Sequence, residues 1–304
     1  MLIIWRFTDG KPGHEKQTLG LAHALLRQSP GECIDIAVPA RRVSFVQWLS
    51  GRFPAGVGLP APQYLLAAGH ATHFALLAAR RVYGGLAVVM MQPSLPLALF
   101  DLCVISAHDA PPVRENVIRI RGVLNDVRTS STHLPEQGLI LVGGESNHYR
   151  WEEGPVIAAI VEIARAHPKI HWQLTTSRRT PASFLLALPQ PLPINLSVIH
   201  YKTCRVGWLE QALSQASQVW VTEDSVSMLY EALTAGAGVG LLRLPKLRDT
   251  RVSRGVQHLL IDGWVKPYEP SKVGELLFPP PGEFNEANRV ANLILSRDEQ
   301  YAAI

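Results

Sequence analysis

Hydrophobic residues in this chain fall into two alternating patterns. Short, nearly uninterrupted apolar runs read as buried parallel strands, and longer segments with apolar residues every three or four positions read as covering helices. The stretch from Val219 to Gly240 shows both patterns in their shortest form. Val219, Trp220 and Val221 make an apolar run, and Asp224 stands where a helix N-cap is expected. Val226, Leu229, Tyr230 and Leu233 follow at helical spacing, and Gly236 closes the helix. Ser227, Glu231 and Thr234 form a polar stripe on the opposite face.

Taken from the start, the same alternation predicts strands at residues 2–7, 33–38, 64–68, 86–91, 101–106 and 116–121, with helices at 15–27, 43–50 and 71–83. Residues 122–137 are polar and carry Ser130, Ser131 and Pro135, the composition of a linker. A second series places strands at 139–142, 170–175, 218–221 and 238–242. Its helices fall at 155–167, after Pro181, and at 209–216 and 252–262. A last helix, 284–296, follows the Pro279-Pro280-Pro281-Gly282 break. The expected fold is α/β, with two Rossmann-like domains on mostly parallel sheets. The expected division is residues 1–130, 131–282 and a C-terminal helical segment, 283–304, that crosses back.

At 304 residues the chain has room for two cores, and with 47% hydrophobic residues it is globular. Cys33, Cys103 and Cys204 are far apart with no CxxC, which argues for a reducing compartment. The apolar run at 2–7 is too short for a signal peptide and contains Arg6. Gln92, Pro93, Pro96 and Asp101 break the longest apolar tract, so it is not read as a membrane span. The expected location is cytoplasmic, at the inner face of the cytoplasmic membrane. Charge is uneven: residues 1–133 hold 13 Lys and Arg against 8 Asp and Glu, whereas residues 134–304 hold 16 against 17. A basic first half suits an anionic surface. Residues 41–53, RRVSFVQWLSGRF, can form a basic amphipathic helix for peripheral membrane contact, or can pack on the sheet. Aromatic residues are few and are not interleaved with basic ones, which argues against a nucleic-acid partner.

Four loops carry candidate chemistry. In TDGKPGH, Gly10 and Gly13 let a ligand approach the backbone at a helix start. His14 lies at the helix mouth, where the dipole disfavours a positive charge and favours a general base. Asp9 is the other candidate base, although a turn-forming Asp and a packed His explain the same residues. In GGESNHYRW, Gly143 and Gly144 at a strand end admit a phosphate or sugar, or simply make the turn. In TTSRRTP, Ser177 and the paired Arg178 and Arg179 suit a pyrophosphate, with one arginine facing solvent. At the helix after Asp224, Ser225 and Ser227 flank free N–H groups suited to an anion, and Glu231 is spaced to accept ribose hydroxyls. Neither HExxH nor a second set of ligands accompanies His70 and His73, so no metal is assigned.

The motifs DGKPGH, GGESNHYRW, TTSRRTP and TEDSVSMLYEAL together resemble the bacterial relatives of the plant mitochondrial-fission "elongated mitochondria" proteins. That family is similar to GT-B glycosyltransferases, in which two Rossmann-like domains face a cleft. It is more distantly similar to the transferase that adds N-acetylglucosamine to the lipid-linked peptidoglycan precursor. The resemblance implies a metal-independent, inverting transferase with a nucleoside-diphosphate sugar as donor substrate, no separate cofactor, and a lipid-linked or glycolipid acceptor of the cell envelope. It implies that the first domain takes the acceptor, with His14 as base, and that the second binds the nucleotide. There Ser225 and Ser227 would meet phosphate or base, Glu231 the ribose, and Arg178 with Gly144 the pyrophosphate. Two other readings stay open: a non-catalytic membrane adaptor, as plant members recruit fission machinery, and a nucleotide-sugar epimerase.

Overall fold

The computed structural model describes the backbone of residues 1–302 and the side chains through Arg297, so the final residues of the expected 283–304 segment lie outside the described residues. The chain divides into two compact units, Met1–Asp126 with Glu286–Ile304, and Val127–Asn285.

The first unit runs β1 (Leu2–Thr8), α1 (Pro12–Gln28), β2 (Gly31–Ala37), α2 (Arg41–Ser50), β3 (Tyr64–Ala68), α3 (His73–Tyr83), β4 (Leu86–Met90), β5 (Leu102–Ser106) and β6 (Val117–Ile120). Its strands form one parallel sheet in the order β2-β1-β3-β4-β5-β6. The two-residue period of a strand sorts the core. Ile4, Leu66, Val88, Val104 and Ile118 point to one face, with Leu21 and Leu25 of α1. Ile3, Trp5, Leu65, Val89 and Ile105 point to the other, with Ala75, Leu76 and Ala79 of α3. Both faces are therefore covered, which is why these strands read as continuous apolar runs.

The second unit runs β7 (Leu134–Leu141), α4 (Glu153–Ala166), β8 (His171–Thr175), α5 (Ala182–Leu186), β9 (Leu196–Ile199), α6 (Trp208–Gln215), β10 (Ala216–Thr222), α7 (Val226–Ala235), β11 (Gly238–Leu242), α8 (Arg251–Ile261) and β12 (Lys266–Pro267). These strands form a second parallel sheet, ordered β12-β11-β10-β7-β8-β9. Two edge strands, β9 and β12, were not expected from the pattern. Each is only four or two residues long, too short to show alternation. The strand expected from residue 139 starts five residues earlier, at Leu134, because its first residues are exposed and show no apolar run.

The last helix, α9 (Glu286–Ala302), rejoins the first unit, as the expected crossing back requires. Val290, Ala291 and Ile294 enter the core beside α1. Glu286, with its side chain 2% exposed, holds the helix start in place. It pairs with Arg121 at 3.0 Å and Arg289 at 2.5 Å, and it accepts the Arg121 backbone N–H at 3.1 Å. Burial raises its pKa, but the hydrogen bonds and charges of Arg289 and Arg121 outweigh burial, and the net shift is downward. A carboxyl whose pKa falls on folding contributes stability above its unfolded value, about 4.3, and loses it as pH drops through the folded value. Glu286→Gln should therefore lower unfolding free energy by roughly 1–3 kcal/mol at pH 7. In thermal melts across pH, the gap to wild type should close below the ordinary carboxylate range.

Candidate functional site

Strand order dictates where a site can form. In open parallel sheets, ligands bind beyond the carboxyl ends of strands, where the chain's direction of sheet growth reverses. In the first unit that point lies between β1 and β3, and in the second between β7 and β10.

At the first point, the loop after β1 carries Asp9 and Gly10 and leads into α1. His14 occupies the first turn of α1, and its Nδ1 lies 2.8 Å from Asp9 Oδ2. The Asp9 side chain is 3% exposed and that of His14 18% exposed. A carboxylate can only accept, so this pairing puts a ring proton on Nδ1, and in the neutral ring Nε2 is then the acceptor. Asp9 thus orients the imidazole. Gly69, at the end of β3 with φ +81°, lies against the ring: a Cβ there would be 2.2 Å from His14 Cε1. Gly13 is exposed in the first turn of α1, and its carbonyl accepts from Gln17.

At the second point, three loops converge. After β7, the Gly143 N–H donates to Thr222 Oγ1 at 2.7 Å, and the Gly144 N–H to Asp224 Oδ2 at 2.9 Å. After β8, Ser177 Oγ donates to the Gly143 carbonyl at 2.7 Å, and so does Thr180 Oγ1. Arg179 pairs with Asp224 Oδ2 at 2.7 Å and donates to the carbonyls of Glu145 at 2.8 Å and Gly144 at 3.3 Å. After β10 comes Asp224 itself, with a fully buried side chain. Burial raises its pKa. Arg179, Thr222 and Gly144 pull the other way without cancelling that effect.

Asp224 is therefore not the N-cap expected of it. The cap position belongs to Ser225, and no side chain caps α7. An N-cap oxygen must turn back to the helix N–H groups, whereas Asp224 Oδ2 turns to Gly144 and Arg179. With no side-chain cap, the first N–H groups of α7 open into a cleft of about 840 Å³. The cleft is lined by Ser225, Val226 and Ser227, by Arg179 and Asp224, and by residues 145–151 with Leu247 and Val252. The 145–151 loop is held open by bonds from Arg150 N to Pro245 O at 2.8 Å and from Leu247 N to His148 O at 3.0 Å.

The predicted residues thus separate into two groups. Ser225 and Ser227 line the cleft. Gly143, Gly144 and Ser177 do not line it; they tie together the loops that do, with their amides and hydroxyl already engaged within the protein. Of the arginine pair, Arg179 reaches the cleft, and Arg178 is exposed and is not part of its wall. Glu231, one turn beyond Ser227, is buried at 4% exposure within the unit rather than on the cleft wall. The expected outer stripe is likewise buried at Thr234, whose hydroxyl donates to the Tyr230 and Phe284 carbonyls. His148 and Trp151 enter the site without having been singled out, and Asp224 enters it having been named only as a cap; the flagged segments 143–151 and 220–240 were the available signal.

Residues 12–297 match the model of the family described as Mitochondrial fission ELM1. The chain belongs to the mitochondrial fission ELM1 family. No curated protein sequence matches this ELM1-family chain. Its fold is similar to that of a candidate UDP-N-acetylglucosamine 2-epimerase from Listeria monocytogenes, at 13% identity over 98% of this chain and 97% of that one, with a TM-score of 0.60. It is also similar to the UDP-GlcNAc 2-epimerase from Neisseria meningitidis bound to UDP-GlcNAc, at 13% identity over 98% and 100%, TM-score 0.51. A third is the spinosyn forosaminyltransferase, at 13% identity over the whole of both chains, TM-score 0.51. The ELM1-family chain therefore has a GT-B-like fold.

The junction of the three loops is sensitive to a single methyl group. Gly144 has φ +155°, and a Cβ on it would be 2.1 Å from the Arg179 carbonyl oxygen. Gly144→Ala should cost at least about 2 kcal/mol of stability by overpacking, measured by urea denaturation.

Proposed function

We propose that this chain is a GT-B-type glycosyltransferase whose second unit binds a nucleoside-diphosphate sugar and whose first unit activates the acceptor hydroxyl. The observation that carries the proposal is the cleft where the uncapped start of α7 and Arg179 meet. Helix N–H groups and a guanidinium both favour the oxygens of a diphosphate. Positioned this way, they stabilise the charge that gathers on the leaving diphosphate, the work a divalent cation does in other transferases. The fold shared with an epimerase bound to UDP-GlcNAc and with a forosaminyltransferase supports the reading.

In the proposed reaction, the acceptor oxygen attacks the anomeric carbon, and its proton passes to His14 Nε2. The bond from that carbon to the diphosphate breaks, and its electron pair leaves with the nucleoside diphosphate. Asp9 holds the imidazole in the tautomer that can take the proton. The acceptor oxygen reaches the anomeric carbon on the face opposite the departing diphosphate, so configuration inverts. The acceptor is proposed to be a lipid-linked or glycolipid hydroxyl of the envelope, used at the inner membrane face.

Ser227→Asp separates binding from stability. A carboxylate in the first turn of α7 favours the helix dipole and repels a diphosphate. Calorimetry should show UDP binding to wild type and a loss of at least roughly tenfold in the variant, with an unchanged or raised melting temperature. Absence of heat with every nucleoside diphosphate tried would instead favour the adaptor reading.

The base is tested separately. His14→Ala should lower turnover by roughly 10²- to 10⁴-fold while leaving donor affinity unchanged. Gly69→Ala, which pushes a methyl into the imidazole, should move turnover in the same direction. Unchanged turnover in His14→Ala removes His14 from the chemistry, and solvent deuterium entering the sugar identifies an epimerase.

A further inference from the structure

The helix α2 does not lie on the sheet; it packs against α3. Ser44 is fully buried at that contact and Trp48 half-buried, with Phe45, Trp48 and Phe74 forming an aromatic cluster. The outer arc is left uncovered. Val43, Val46 and Leu49, spaced three apart, are 47%, 61% and 57% exposed, and Phe45, four before Leu49, is 40% exposed. At 100° per residue these four side chains share one side of the helix, with exposed Arg42 among them.

The stretch of chain that carries this arc has charge of one sign. From residue 36 to residue 100 the chain contains five arginines, Arg41, Arg42, Arg52, Arg80 and Arg81, and no aspartate or glutamate. Arg80 is paired with Asp101, at 2.5 Å. Arg41 lies over the Phe74 ring at 5.6 Å, and Arg81 donates to the Trp48 carbonyl at the inner side of α2. These contacts hold the two cations at the helix without neutralising them.

We propose that α2 is a docking element for an anionic lipid bilayer. A short helix with an apolar outer arc and flanking arginines lies in the plane of the headgroups, its apolar side chains in the acyl boundary and its cations on lipid phosphates. Neutral lipid satisfies the apolar arc alone, and an acidic protein without an apolar face satisfies the arginines alone. An anionic bilayer satisfies both. Among the described residues no helix is long and apolar enough to cross a membrane, so this contact is peripheral. The inference rests on the surface of the first unit alone and stands or falls without the nucleotide reading.

The test is co-sedimentation of the full chain with phosphatidylcholine vesicles, with and without phosphatidylglycerol, and without nucleotide. Each arginine near an anionic surface is worth roughly fivefold in partitioning. Wild type should partition at least tenfold better onto the anionic vesicles, and less as salt is raised. Val46→Glu with Leu49→Glu, and separately Arg42→Glu with Arg52→Glu, should each lose at least tenfold, with unchanged thermal melts because all four positions are at the surface. Equal partitioning onto both vesicle types, or unchanged binding by both double variants, overturns the proposal. A wild-type dimer in sedimentation that Val46→Glu with Leu49→Glu dissolves, with no vesicle binding, overturns it in favour of self-association.

Discussion

The second unit's site depends on one buried carboxylate. Asp224 follows β10, accepts from Gly144 after β7, and pairs with Arg179 after β8. Three loops from three adjacent strands are thereby tied at one point, and Gly143 and Gly144 have no side chains because that carboxylate and the Arg179 backbone occupy the space. A pair of this kind adds little net stability, since taking a carboxylate out of water offsets most of what the guanidinium returns. Its effect is positional. With Asp224 turned away from α7, the first turn of that helix keeps its N–H groups unpaired by any side chain and presents them to the cleft. The structural cost of an uncapped helix is what makes the place suited to an anion.

The same logic recurs in the first unit at smaller scale. The loop after β1 and the end of β3 meet at that sheet's reversal point, and the contact between them is an imidazole lying on a glycine. Asp9, almost wholly buried, fixes the ring from the other side. In both units an acid orients a positively charged or ionisable neighbour: Asp224 does so in place of cap duty, and Asp9 does so while also accepting the turn bond from the Lys11 N–H at 3.2 Å. Parallel sheets produce this outcome readily: every strand delivers its loop to the same edge, so polar residues that are remote in the chain are forced to pair there.

The surface of α2 follows from a different constraint. Both faces of the first sheet are already filled, one by α1 and α9 and the other chiefly by α3. A further amphipathic helix can only add a second layer, packing one side against α3 and leaving the rest in water. Apolar residues in that position are unexplained by folding, and this is why the arc formed by Val43, Val46 and Leu49 carries information about a partner.

Much of this is legible in the amino-acid sequence itself. Apolar runs and helical periodicity determined the α/β alternation, the parallel sheets and the break into two series, because burial on both faces leaves its mark residue by residue. The four loops that build the two sites were visible as glycines and polar residues at strand ends. Tertiary structure alone decided which groups meet. Arg178 and Arg179 are adjacent and chemically identical, and only the fold directs Arg179 to Asp224. Asp224 at a helix start reads as a cap until the Gly144 amide, 80 residues away in sequence, proves to be its partner. Glu231 reads as part of a polar stripe available to a ribose until neighbouring elements bury it. Periodicity records how much each residue is buried, since that depends on its own element; the partner of a polar group is set by strand order, which no local pattern encodes.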